Sequence, residues 1–387
     1  MNLTLWILAA MIVAQASPEK PKLQFDERTI AADLKGGYQV VAEDLNRDGR
    51  PDLVALASDM PELVWFENPH WTRHVIATPF PRMINLAVVF SGPRPAIVLA
   101  GGFSNEARRS PGTIWALEAG EDPRRPWTAR EIDRVPTAHR LRLADIAGDG
   151  KPVIVNAPLT GPDASGPDYR GHTPLLYYRP GEWQRRLIGD ENEGVVHGIH
   201  VIDWDGDGHD EILTASFVGI HLYKLLGDGR WSRMEIARGD PAPWPKCGAS
   251  DVAAGRLGSR RFLCAIEPWH GHQIAVYHEE KGVWERRVIE DSFVDGHTIQ
   301  AADLNGDGRD EIIGGYRGAG GGLFVYTAED DRGTRWSRQT IEKGTVAAAS
   351  CAVADFNGDG RPDIACIGSA SANLKLYENR TEPWPRQ

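Results

Sequence analysis

The sequence lacks the features that mark several common classes of protein. Its 387 residues carry a formal net charge of −11 at pH 7. A phosphate-binding surface needs an excess of basic residues, so we predict no nucleic-acid partner. Beyond the first sixteen residues no apolar run is long enough to cross a bilayer, so no transmembrane segment is predicted. There is also no Walker loop and no Gly-x-Ser-x-Gly elbow, which argues against the two enzyme classes that those motifs define.

Cysteine is scarce as well. The four cysteines, Cys247, Cys264, Cys351 and Cys366, allow three pairings. Cys351 and Cys366 lie equally far from the centre of an Asn-Gly-Asp-Gly turn, so they could face each other across a hairpin. Cys247 and Cys264 flank a similar turn less symmetrically. Buried free thiols are an equally good interpretation, because cysteine packs as a small apolar residue.

The amino-terminal segment 1–16 predicts export. It has an apolar core followed by Ala14-Gln-Ala16, a small-x-small pattern typical of a signal-peptide cleavage site. The alternative is a buried amino-terminal strand. We expect cleavage near Ser17, a periplasmic or extracellular location, and a single domain over residues 17–387. The oligomeric state cannot be predicted from the sequence.

An acidic motif recurs along the chain and predicts cation-binding loops. In Asp303-Leu-Asn-Gly-Asp-Gly-Arg-Asp-Glu311, oxygen-bearing side chains occupy the first, third, fifth and ninth positions. Ca²⁺ takes about six to eight oxygen ligands, and alternate residues of a tight loop can supply them. Four copies are complete, and we predict structural calcium in each: Asp44, Asn46, Asp48 and Asp52; Asp203, Asp205, Asp207 and Glu211; Asp303, Asn305, Asp307 and Glu311; Asp355, Asn357, Asp359 and Asp363.

A damaged copy at Asp145 keeps Asp149 but has Ala147 and Val153 in ligand positions, so we predict weak binding there. Two further repeats have the strands without the acids. A second motif, Trp-x-Arg-x-x-Ile, also recurs seven times if looser copies are counted. With a third, aromatic-containing strand between the two motifs, each repeat of about fifty residues reads as a four-stranded antiparallel unit.

These repeats predict an all-β fold, a seven-bladed β-propeller. The last repeat ends after its third strand, whereas the strand at Phe25, Arg28 and Ile30 stands alone before any loop. The amino-terminal strand should therefore complete the last blade and close the ring. The acidic loops resemble the FG-GAP/VCBS repeats of integrin α-chain propellers and of many secreted bacterial proteins. That resemblance implies structural calcium on the face opposite the binding surface.

Three histidines share one position in the repeat and predict a transition-metal site. His139, His197 and His297 each lie six residues before the first aspartate of their loop. Equal offsets in equivalent innermost strands should direct all three imidazoles toward one point on the propeller axis. Such a site suits Zn²⁺, Mn²⁺ or Fe²⁺.

Other reactive side chains should collect on the same face. We predict catalytic roles for residues near the turns or strand entries of that face: Arg82, Tyr169, His172, Lys246, His270 and His272. The repeat pattern with axial histidines is similar to the propeller domain of fungal aldos-2-ulose dehydratases, which implies a carbohydrate or keto-sugar substrate. We therefore expect a secreted, metal-dependent lyase or dehydratase acting by β-elimination. The alternative is a non-catalytic propeller that binds a glycan or a protein.

Overall fold

The computed structural model describes residues 22–92 and 94–382. The predicted signal segment lies outside the described residues. The first three blades are formed, in chain order, by β1 (Phe25–Ala31), β2 (Gly37–Glu43), β3 (Asp52–Ala57), β4 (Leu63–Glu67), β5 (Thr72–Ala77), β6 (Asn85–Ser91), β7 (Arg94–Gly101), β8 (Thr113–Glu118), β9 (Thr128–Arg134), β10 (Ala138–Ala144), β11 (Val153–Pro158), β12 (His172–Tyr178) and β13 (Arg186–Glu193), with β1 belonging to the last blade.

The remaining blades comprise β14 (Val196–Ile202), β15 (Glu211–Ser216), β16 (Gly219–Leu225), β17 (Trp231–Ala237), β18 (Asp251–Leu257), β19 (Arg260–Glu267), β20 (Gln273–Glu280), β21 (Val283–Glu290), β22 (Gly296–Ala302), β23 (Glu311–Tyr316), β24 (Gly322–Ala328), β25 (Trp336–Lys343), β26 (Ala348–Ala354), β27 (Asp363–Gly368) and β28 (Leu374–Asn379). The helical element in the described part of the chain is a three-residue 3₁₀ turn, Ala107–Arg109. No helix among the described residues is long and apolar enough to span a membrane.

The strands form seven four-stranded antiparallel sheets arranged as a closed ring. Six sheets take four consecutive strands each, from β2–β5 to β22–β25. The seventh has the order β1-β28-β27-β26, and Phe25 pairs with Asn379. The innermost strands contact one another around the ring, and β26 contacts β2. The predicted seven-bladed propeller, closed by its amino-terminal strand, is confirmed.

Burial increases from the outer strand to the second strand of each blade. All six residues of β3, β15, β23 and β27 are buried, because both faces of these strands pack against neighbouring blades. The outer strands are mostly exposed to solvent, as in β1. Burying one large apolar side chain contributes about 1.5–3 kcal/mol, so the interfaces between blades hold much of the stability.

Three of the repeated tryptophans connect their blades to the preceding ones. The Trp71 ring lies 5.9 Å from Phe356, that of Trp231 lies 6.2 Å from Tyr177, and that of Trp336 lies 5.3 Å from Phe262. These aromatic contacts cross from one blade to its neighbour. Packing between blades thus explains why the Trp-x-Arg-x-x-Ile spacing recurs along the chain.

One disulfide joins the first and second strands of the last blade. Cys351 of β26 and Cys366 of β27 are directly paired in the register, and their sulfurs are bonded. Cys264 is a buried free thiol, and Cys247 is a half-buried free thiol. The sequence left open whether each cysteine pair forms a disulfide or free thiols. In the structure Cys351 and Cys366 form a disulfide, whereas Cys247 and Cys264 are free thiols.

Candidate metal and substrate site

A β-bulge near the start of the innermost strand positions the axial side chains. In β2, β10, β14, β22 and β26 the pairing register shifts at the second residue of the strand. A bulge adds one residue to a strand and turns its side chain out of the regular alternation. The residues at this position are Tyr38, His139, His197, His297 and Ala349. The innermost strands β6 and β18, which belong to the two repeats without acidic loops, have a regular register.

Three imidazoles come together on the axis. One nitrogen from each of His197, His270 and His297 lies within 4.8 Å of the other two. His270 belongs to the connection between β19 and β20, not to an innermost strand. Its Nε2 lies 3.1 Å from Nε2 of His197. The Nε2 of His297 is buried and has no hydrogen-bond partner.

Two of these imidazoles are fixed by acceptors behind them. Nδ1 of His197 lies 3.2 Å from the backbone oxygen of Ser250, and Nδ1 of His297 lies 2.5 Å from that of Ala349. A carbonyl oxygen can only accept, so Nδ1 of His297 carries the proton and its Nε2 keeps a lone pair. Nδ1 of His197 also lies 3.1 Å from the Ser250 hydroxyl, and the tautomer that donates to the carbonyl leaves a lone pair on its Nε2 as well. This arrangement is typical of metal-binding histidines, whose second nitrogen donates to a backbone carbonyl or a carboxylate.

His270 faces two different partners through Nδ1. Arg317 Nη2 lies 3.4 Å from this nitrogen, and Asp295 Oδ1 lies 3.3 Å from it. Arg317 and Asp295 also form an ion pair at 2.9 Å. With the tautomer of His197 that donates to the carbonyl, Nε2 of His270 donates a hydrogen bond to Nε2 of His197. Nδ1 of His270 then accepts from Arg317.

The imidazoles are neutral at physiological pH. Burial holds the pKa of His197 and of His297 well below the ordinary range; the Arg140 guanidinium adds repulsion at both rings, and that of Arg317 adds repulsion at His297. The same causes lower the pKa of His270 to about 3. Neutral imidazole is the form that binds a metal, so no proton has to be displaced from a charged ring.

His139 lies beside this cluster and is engaged elsewhere. Its ring centroid lies 4.8 Å from that of His197, but its Nε2 accepts a 2.8 Å hydrogen bond from the Tyr38 hydroxyl. Its Nδ1 is buried without a partner. The sequence pattern predicted His139, His197 and His297 as one ligand set. The structure brings His270 into the group whose nitrogens lie within 4.8 Å and leaves His139 next to it.

A cavity of about 820 Å³ opens above the cluster. It is lined by His139, His197 and His270 and by polar residues of several blades. Arg82, predicted from its place at a strand entry, lines this cavity, as do Tyr38, Asp295 and Arg317. Tyr38 and Asp295 were not identified from the sequence. Tyr38 carried a usable signal, since it lies six residues before Asp44, the same offset as the histidines.

The other predicted catalytic residues lie apart from the cavity lining. His172, His272 and Lys246 are exposed, and none of them lines the cavity. Tyr169 is buried behind the wall, where its ring lies 5.5 Å from that of Trp269 and its hydroxyl accepts from Asn105. Trp269 itself lines the cavity. The structure thus brings together Arg82 and His270 from the predicted catalytic set.

The predicted cation loops follow the innermost strands, at the opposite end from the histidines. Their first aspartates hold the loop through backbone amides: Asp355, for example, accepts hydrogen bonds from the amides of Gly358, Asp359 and Gly360. Asp363 at the ninth position accepts from the amides of Phe356 and Asn379. Equivalent bonds hold the loops at Asp44, Asp203 and Asp303. Calcium in these loops stays a prediction.

Sequence comparisons relate the chain to known propellers. A model of the aldos-2-ulose dehydratase β-propeller domain matches residues 112–280, and an FG-GAP-like repeat model matches residues 303–366. Both resemblances predicted from the motifs are therefore confirmed. The aldos-2-ulose dehydratase of Phanerodontia chrysosporium is 28% identical over 299 residues, which cover 66% of this chain and 32% of that relative. The chain thus spans about a third of the relative's length.

Proposed function

We propose that this protein is an exported, metal-dependent dehydratase that acts on a sugar or keto-sugar at the axial cavity. The observation that carries the proposal is the orientation of His197, His270 and His297. Their nitrogens converge to within 4.8 Å, and His197 and His270 line the cavity. Nδ1 of His197 and of His297 is held by a backbone carbonyl. The similarity to a dehydratase propeller supports the carbohydrate substrate.

The three imidazoles would hold one divalent transition metal such as Zn²⁺. The donor set fits, because the nitrogens are neutral and buried, and His297 Nε2 has no other partner. For His270, binding requires its proton to move from Nε2 to Nδ1, where Oδ1 of Asp295 can accept it. A bound metal would act as a Lewis acid toward a carbonyl or hydroxyl oxygen of the sugar.

The remaining residues of the cavity would bind and orient the substrate. Arg82 and Arg317 line it with guanidinium groups that can donate to hydroxyl or carbonyl oxygens. The Tyr38 hydroxyl is directed at His139, so its oxygen lone pairs remain for a substrate hydroxyl. The Trp269 ring in the wall offers a flat apolar surface for a sugar ring. Dehydration would remove a proton beside the carbonyl and expel the β-hydroxyl as water.

Export is part of this proposal. It is supported by the signal-like segment 1–16 and by the Cys351–Cys366 disulfide, since disulfides persist in oxidising compartments. A second candidate function is non-catalytic glycan binding at the same cavity. It is favoured by one observation, that the alignment covers only 32% of the dehydratase, so that relative contains much additional chain.

Elemental analysis tests whether the purified protein binds a transition metal. The native protein is compared with a variant in which His197, His270 and His297 are all changed to Ala. We expect about one equivalent of transition metal in the native protein and none in the variant. A panel of sugars and keto-sugars, followed by absorbance of unsaturated products, tests the reaction. Metal without product from any of them would favour the binding function. Absence of metal from both proteins would refute the metal-dependent enzyme.

A further inference from the structure

The cation loop that begins at Asp203 contains a lysine side chain at its centre. Nζ of Lys224 lies 2.5 Å from Asp205 Oδ2, 2.7 Å from Asp207 Oδ2 and 2.9 Å from Glu211 Oε1. These three carboxylates are the third, fifth and ninth positions of the predicted calcium motif. Oxygens of Asp203, Asp205 and Glu211 also lie within 4.8 Å of one another, as in a cation-binding cluster.

The position of Lys224 in the blade is set by the sheet register. Tyr223 of β16 pairs with Ile212 of β15, so Lys224 follows at the strand end, beside Glu211 and the loop. The other three blades with a complete motif also have an aromatic residue in the third strand that pairs with the second strand. The residue that follows this aromatic is not a lysine in any of them. These equivalents are Glu67, Thr327 and Glu378. None of the three is a cation, so the lysine distinguishes this loop from the other complete copies.

An ammonium at this point competes with calcium for space and for charge. Ca²⁺–oxygen distances are about 2.3–2.6 Å, so Nζ stands where the ion would have to lie. Glu211 is 1% exposed, and the lysine is the cation that compensates its charge.

We propose that Lys224 replaces the calcium ion in the Asp203 loop, so that this loop is held by an internal cation and binds no calcium in the native protein. The blade that carries His197 would then keep its loop ordered without calcium. The donor set of this loop therefore does not fit the calcium predicted from its sequence motif.

Calcium stoichiometry tests the proposal directly. Native protein, Lys224→Thr and Lys224→Arg are equilibrated with calcium-buffered solution, and bound calcium per chain is measured by elemental analysis. Threonine copies the residue that stands at this position in the blade with the Asp303 loop. We expect Lys224→Thr to bind about one more calcium than the native protein. Lys224→Arg keeps the cation and should bind the same amount as the native protein.

Asp207→Ala assigns the difference to this loop, because the fifth position is an aspartate in every complete copy of the motif. The substitution should leave the calcium content of the native protein unchanged and should remove the additional calcium from Lys224→Thr. The thermal midpoint gives an independent readout: that of Lys224→Thr should rise with added calcium by more than that of the native protein. Loss of a calcium from the native protein on Asp207→Ala would overturn the proposal. An unchanged calcium content in Lys224→Thr would overturn it as well.

Discussion

Asp295 provides the sharpest test of the histidine cluster. Both neighbours of its carboxylate are donors in the metal-bound arrangement: Nε of Arg317, 2.9 Å from Oδ2, and Nδ1 of His270, 3.3 Å from Oδ1. Asn at this position has nearly the same shape but only one accepting atom. It can accept from Arg317 or from His270, but its amide nitrogen then faces the other donor.

We therefore expect Asp295→Asn to weaken the binding of Zn²⁺ by about 10- to 100-fold, the usual effect of losing an orienting partner behind a metal-binding histidine. This corresponds to about 1.4–2.7 kcal/mol of binding free energy. Binding is measured by competition with a chromophoric chelator at fixed pH. The fold should be unaffected, and the thermal midpoint in the presence of chelator checks that.

Asp59→Asn is the matched control. Asp59 lines the same cavity, and its hydrogen bond is with Ser58, not with a histidine. It should change the affinity for Zn²⁺ by less than about threefold, because only long-range charge is lost. An equal weakening in both variants would mean that charge, not orientation, is responsible. An unchanged affinity in Asp295→Asn would refute the idea that His270 needs a carboxylate partner.

Three predictions concern the scaffold and are measured by urea unfolding. Arg124 holds the pKa of Glu67 at about 2. Arg124→Met should therefore lower the free energy of unfolding by about 1 kcal/mol above pH 4.5, and this loss should vanish as the pH falls through 2. A loss that persists at pH 2 would contradict this. Changing Cys351 and Cys366 to Ala should cost about 2–4 kcal/mol, because their bond restricts the unfolded chain; unchanged stability would contradict the disulfide. Ile312→Ala should cost about 2–5 kcal/mol, since the side chain is fully buried; a smaller cost would indicate that the interface relaxes around it.

The fold was predictable because each signal in the sequence has a local cause. The acidic loops fix where the innermost strands end, and Trp71, Trp231 and Trp336 fix the contacts between blades. The solitary strand at Phe25 implied ring closure. These features depend on spacing along the chain, so the seven-bladed architecture could be derived without knowing any side-chain conformation.

The site was predictable only where it lies on the innermost strands. His197 and His297 share a strand position and a bulge, so their convergence follows from the repeat. His270, His172 and His272 all lie at or near the second connection of their blades, and spacing does not tell which one turns inward. His270 has a positive φ of 49°. This conformation is uncommon for residues other than glycine, so it could not be predicted from the sequence.

The strand register of a blade also determines which side chains lie beside an acidic loop, and therefore whether that loop can bind calcium. Asp203, Asp205, Asp207 and Glu211 match the calcium pattern as well as any copy does, and the motif alone predicts calcium. Lys224 lies thirteen residues beyond Glu211 in the sequence, and only the pairing of β15 with β16 brings its ammonium into the loop. A cation-loop motif in such a repeat should therefore be read together with the end of the third strand.

The bulges explain how a ring of similar repeats builds one asymmetric site. In five innermost strands the extra residue turns its side chain toward the axis, and the sequence then supplies imidazole, phenol or methyl at that point. The two blades whose innermost strands have a regular register reach the cavity through their connections instead, one with Phe103 and the other with Trp269 and His270. Two of the three proposed ligands thus lie on strands and the third lies on a connection. Metal affinity should depend most on the residues that hold that loop residue in place, which are Asp295 and Arg317.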